Sequence, residues 1–216
     1  MNIEPFDWSV VIIGYWNRAI LTPNGIANRL FKLEKGAGIE VFIPVDLVDS
    51  PLVKHDGITV KVEDRQLIVG TEDPGYVALE KAMKIGQTAL TGLPETPVLA
   101  AGFNIRYKTA DLGVGLDELT RSDLDDRLSD AGYQIVYRGL IRRLHVKKGA
   151  LEKGVVTLST HKDDGRARIE LNFHRDSKNV QELVEWLRIQ VSDVKDAVDQ
   201  ILLTLSSTDI GEPKHE

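Results

Sequence analysis

From Pro97 to Tyr107 the chain reads PVLAAGFNIRY, with Leu99, Ala101, Phe103, Ile105 and Tyr107 apolar at every second position. The residues between them are small (Val98, Ala100, Gly102) before they turn polar at Asn104 and Arg106. This pattern predicts a strand covered on both sides and closely approached by another backbone at Gly102. It has an echo near the start of the chain. Val10 to Arg18 reads VVIIGYWNR and Val98 to Arg106 reads VLAAGFNIR, so Gly, an aromatic residue and Arg recur in the same register. Trp8 to Trp16 is therefore a second central strand, apolar on both faces.

The elements that follow each strand also correspond. Thr22-Pro23 predicts a helix N-terminus, with Ile26, Ala27, Leu30 and Phe31 as its apolar stripe and Gly36 and Gly38 as its stop. Ile39 to Ile43 returns as a strand. Residues 44–57 read as a loop or an irregular edge, because Pro44 and Pro51 cannot donate to a ladder. Ile58 to Thr71 alternates as a hairpin. Asp73-Pro74 then opens a helix bearing Tyr76, Leu79, Met83, Gly86 and Leu90, ended by Gly92 and Pro94.

In the second half an insertion, TADLGVG, precedes a helix at Leu116–Leu128. Tyr133 to Val146 is a long strand whose period breaks at Gly139, which predicts a bulge. A hairpin of 155–161 and 166–174 turns at Lys162-Asp163-Asp164-Gly165, with His161 opposite Arg166. Its wet face carries Thr157, Ser159, His161, Arg166, Arg168, Glu170 and Asn172. From Asn179 to Leu205 the apolar positions Leu187, Val191, Val194, Val198, Ile201 and Leu205 step by four and three. A single helix of about 27 residues would be roughly 40 Å long, more than one strand length can cover, and this points to a second helix as its partner.

Both halves thus read strand, helix, strand, hairpin, helix. The expected organisation is one domain of two β-α-β-β-β-α pseudo-repeats, about 8–92 and 97–206, followed by a polar tail, 207–216. The expected class is α+β, a mostly antiparallel sheet with helices on one face. In topology alone this is similar to duplicated saddle-like sheets such as the TATA-binding protein fold. No motif of that family is present, and a fold does not carry a function with it.

Composition narrows the chemistry. The 216 residues include no cysteine, which removes disulfides, thiolate metal sites and cysteine nucleophiles and agrees with a reducing cytoplasm. No apolar run approaches the roughly 20 residues that span a bilayer, and the N-terminal MNIEPFDWS lacks the pattern of a signal peptide. No membrane association is expected. Catalytic signatures are missing as well: there is no GxSxG elbow, no SxxK and no GxxxxGK[ST]. Gly113-Val114-Gly115 is half of a phosphate loop without the third glycine, and reads as a turn. His161 with Asp163 and Asp164 reads as ordinary hairpin-turn chemistry, not a metal site. No catalytic residue, metal ligand or cofactor is assigned, and whether the chain is an enzyme stays open, leaning to no.

The net charge of −6 speaks against general nucleic-acid binding, yet it is unevenly distributed. Asp117 to Asp130 is acidic, and Arg138 to Lys148 is basic. The candidate anion-binding residues are Arg138, Arg142, Arg143, Arg166, Arg168 and His161, grouped on one sheet face if their strands pair. Glu152, Glu170 and the acidic helix could neutralise them instead. The leading expectation is a non-catalytic binding or assembly protein, self-associating as a homodimer through Leu187, Val191, Val194, Val198, Ile201 and Leu205. A protein partner is also possible. The alternatives are an anion-binding module, possibly for nucleic acid, and a small-molecule enzyme with its site between the halves.

Overall fold

Two strands from opposite halves of the chain lie antiparallel at the centre: β2 (Ser9–Gly14) and β7 (Val98–Thr109), with Val10 opposite Phe103 and Val11 opposite Gly102. The computed structural model describes residues 3–34, 36–45, 50–109, 122–135, 137–163 and 166–206. Outward from β2 lie β6 (Gln66–Thr71), β5 (Ile58–Val62), β4 (Leu52–His55) and β3 (Glu40–Phe42). Outward from β7 lie β10 (Arg166–Asp176), β9 (Val155–Asp163) and β8 (Tyr137–Leu144). The short β1 (Glu4–Pro5) pairs with β7 at Tyr107 and Lys108, so the N-terminal arm is tied to the sheet. Every pairing in this ten-stranded sheet is antiparallel, and the fold is α+β as the sequence predicts.

The helices are α1 (Pro23–Arg29), α2 (Tyr76–Gly92), α3 (Asp123–Asp130), α4 (Val180–Leu187) and α5 (Val191–Ser206). α2 packs on β2, β5 and β6, α4 packs on β7, and α4 and α5 both meet α2. Beneath them Phe173, Phe103 and Trp186 stack in series, with ring centroids 5.1 and 6.0 Å apart. Each such ring contributes about 1.5–3 kcal/mol on full burial, so this stack anchors α4 to the sheet. One continuous core runs from Val53 on the β4 side to Val156 on the β9 side, joining the two halves.

Local signals hold where they are self-contained. Thr22 caps α1 by accepting from the Gly25 amide at 3.2 Å, with Pro23 in the first turn. Elsewhere tertiary context changes the outcome. Asp73 does not cap α2, which begins two residues later with Gly75 as its cap. The segment expected to be irregular contains β4, joined to β5 by an Asp56-Gly57 turn with both residues at positive φ (47° and 71°), the mirror-image turn that matches strand twist. Gly139 makes no bulge, since β8 pairs with β9 without interruption from Tyr137 to Leu144. The irregularity falls between Ile13 and Gly14 instead. In the β9–β10 hairpin His161 stands opposite Arg168, two residues from the expected partner, although the buried and wet faces come out as expected. Residues 110–121, with Gly113-Val114-Gly115, and the tail 207–216 lie outside the described residues.

The C-terminal helix is two helices. The Gln87 side chain, from α2, donates to the Leu187 carbonyl at 2.7 Å and satisfies one of the carbonyls freed where α4 ends. Gln190 then accepts from the Asp193 and Val194 amides to begin α5.

A hairpin followed by an earlier strand lies outward from each central strand, but β4 gives the β2 side four strands against three beyond β7, and the registers differ as well. The Gly14 amide donates to Arg65 O at 3.0 Å, beside its hairpin turn. Gly102 stands opposite His174, at the end of β10 far from its turn. The two glycines therefore have different hairpin neighbours.

Candidate functional site

With α2, α4 and α5 on one face, the other face of the central strands carries no helix among the described residues. It holds a depression of about 690 Å³ lined from β4, β5, β6, β2, β7 and β10. Because side chains opposite each other in a sheet share a face, the register gives the floor directly. Thr59, Gly70, Ser9, Asn104, Asn172 and Thr157 form one continuous row across six strands. The neighbouring row brings Ile68, Val11, Gly102 and His174 together.

The polar row is internally bonded. Asn172 Nδ2 donates to Asn104 Oδ1 at 2.6 Å, and Asn104 Nδ2 donates to Ser9 Oγ at 3.3 Å. His174 Nδ1 lies 2.7 Å from Asn172 Oδ1, which can only accept. The network therefore assigns the proton to Nδ1, and in the neutral ring Nε2 remains an acceptor. Two glycines keep the floor low. A Cβ at Gly102 would stand 2.4 Å from Phe173 O, and one at Gly70 would stand 2.6 Å from Thr59 Oγ1.

Both cations of the lining, Arg106 and Lys61, are paired. Arg106 bonds Asp7 at 2.6 Å and lies 3.6 Å from Glu170. Lys61 pairs with Glu63 at 3.0 Å. The Gln66 amide first, and Lys61 second, hold the Glu63 carboxyl below the usual carboxylate range. Among the described residues no Phe, Tyr or Trp is part of the lining. The Ser9 hydroxyl accepts from the Asn104 amide, and among the described residues it has no basic partner that would activate it as a nucleophile.

The anion-binding candidates do not assemble here, nor on a single face. Arg142 stands opposite the buried Leu158, on the helix side, whereas its neighbour Arg143 stands opposite Thr157 on the open side. Successive strand residues point to opposite faces, so the two arginines must separate. Arg168 stands between Lys108 and His161, and its guanidinium lies 5.9 Å from the Phe6 ring. His161 stacks on Tyr137 at 5.7 Å and is hydrogen-bonded to its hydroxyl. In register Arg138 stands opposite Lys162 and Arg166 opposite Asp163. Glu170 goes to Arg106, and among the described residues no carboxylate pairs with Arg142, Arg143 or Arg168.

The interface candidates are turned inward. Leu187, Val194, Val198 and Leu205 are buried, and Val191 and Ile201 are half-buried against the same core. The four-and-three stripe is consumed within this chain, because the break at 188–190 lets two shorter helices lie over the sheet. Sequence reasoning placed Asn172 on a wet face but missed Ser9, Asn104 and His174 as its neighbours. The available signal was the small-polar alternation of β7; the missing one was which strand lies beside it. Among the described residues no helix is long and apolar enough to cross a membrane, and no group of three or more His, Asp or Glu could hold a metal. Models of known protein families give no match to this chain, and curated protein sequences give none either.

Proposed function

We propose that the chain is a non-catalytic binding protein that seats a polypeptide segment in the groove on the sheet face opposite α2, α4 and α5. The observation that carries this reading is the row of neutral amide and hydroxyl groups, Thr59, Ser9, Asn104 and Asn172, beside half-buried Val11, Ile13 and Ile68. A peptide offers alternating donors, acceptors and small apolar groups to such a floor. A polyanion needs unpaired cations, and a base or sugar ring gains most from a broad Trp, Tyr or Phe platform; among the described residues the groove has its two cations paired and His174 as its one ring. Assembly into a homodimer, if it occurs, has to use a surface other than the inward-facing helical stripe. The two-repeat organisation is supported by the hairpin that lies beside each central strand, and opposed by the extra strand β4 and by the differing hairpin registers of Gly14 and Gly102.

The test is selection of a displayed random-peptide library against the folded protein. Peptides selected on the wild type should bind about tenfold or more weakly to Ile68→Glu, which puts a charge on the groove floor, a loss equivalent to about 1.4 kcal/mol. Leu203→Glu, on the 71% exposed outer side of α5, should leave them unaffected. Failure to select any peptide, or peptides indifferent to Ile68→Glu, would overturn the reading.

A further inference from the structure

β8 is an edge strand. Its eight residues pair with β9 on one side, and the other side carries no strand among the described residues. The opposite edge of the sheet is β3, only three residues long and followed by Pro44, so it is blunted in the way natural sheets protect their edges. β8 is neither short nor interrupted by proline. Its outward backbone groups find no backbone partner among the described residues, while Ile141 O accepts from the Arg142 guanidinium at 3.3 Å. Ile141 is 63% exposed.

We propose that this edge accepts one added strand from a partner protein, in an extended segment that carries adjacent carboxylates. The charge geometry selects the occupant. Arg142 and Arg143 have no carboxylate partner among the described residues and project to opposite faces of the sheet. A nucleic acid lying on either face could meet only one of them. An added strand alternates its own side chains between the same two faces, so two consecutive acidic residues meet both arginines at once. A second copy of β8 is disfavoured, because it would bring both copies' Arg138, Arg142 and Arg143 onto one two-stranded ladder. Main-chain hydrogen bonds would supply the affinity and the arginine pair the selectivity. This site is separate from the groove, which lies over the central strands.

The experiment uses fluorescein-labelled nine-residue peptides of alternating Thr and Val with a central Asp-Glu pair, read by fluorescence anisotropy against the full chain. A Lys-Lys version should bind at least about tenfold more weakly. An Asp-Glu version N-methylated along the hydrogen-bonding edge should lose binding, because methylation removes ladder donors without changing charge. Arg142→Glu with Arg143→Glu should reverse the preference in favour of Lys-Lys, and Arg142→Ser with Arg143→Ser should erase it. Ile68→Glu in the groove should leave all of these unchanged. Amides of 137–144 should exchange more slowly with solvent when the Asp-Glu peptide is bound. The proposal is overturned if no Asp-Glu binding is seen, if the N-methylated peptide binds equally, or if the charge-reversed protein keeps its preference for acid.

Discussion

Gly102→Ala is the sharpest single perturbation of the architecture. The added methyl would sit 2.4 Å from the Phe173 carbonyl oxygen and 2.9 Å from His174 Cβ, well inside van der Waals contact. The first of these is backbone, so no side-chain rotation relieves it. β7 and β10 must move apart where Gly102 pairs with His174, the third pair from the end of the longest ladder of the sheet. Overpacking of this kind costs about 1–3 kcal/mol, and weakening one or two ladder hydrogen bonds adds about 1 kcal/mol each. The expected loss is thus about 2–5 kcal/mol, and for a chain of this size each kcal/mol lowers Tm by about 2–4 °C. Urea unfolding followed by circular dichroism measures it, with the m-value showing whether the unfolded baseline has changed. Gly38→Ala is the control. It meets nothing within 4 Å and has no positive φ, so it should be neutral or stabilise by about 0.4–1 kcal/mol through the unfolded chain. Gly102→Ala within about 0.5 kcal/mol of wild type would refute the close approach and the β7–β10 register with it.

Val198 is fully buried in α5, so Val198→Ala should cost about 2–3 kcal/mol from two lost methyl groups and the cavity they leave, with sedimentation mass unchanged. A changed mass at unchanged stability would return that helix to an interface. Burial pushes the Tyr76 hydroxyl far above its ordinary value, with its hydrogen bond to Tyr107 as the second cause, and burial pushes Tyr107 up as well. A raised folded pKa adds stability that is fully present below about pH 10, where unfolded tyrosine begins to ionise, and is lost as pH rises above it. Tyr76→Phe should therefore flatten the decline of urea-unfolding stability as pH rises above about 10; an unchanged slope would show that the tyrosine pair is not its source.

The alternation of β7, the β5–β6 hairpin, the capped start of α1 and the α+β class were legible in the sequence, because period, turn and cap are set by residues within a few positions of one another. The break of the C-terminal helix was not legible. Arg188, Ile189 and Gln190 include neither proline nor glycine, and the side chain that satisfies the end of α4 comes from Gln87, 100 positions away. Nor was the groove. Ser9 and Asn104 are 95 positions apart, and Asn172 is 68 positions beyond Asn104. Alternation tells which side chains share a face within one strand, but the partner strand and its register depend on the packing of the whole core. Grouping Arg142 and Arg143 on one basic surface runs against the alternation of β8 itself, which separates neighbouring residues; what tertiary pairing decides is which face each arginine takes and that β8 is an open edge.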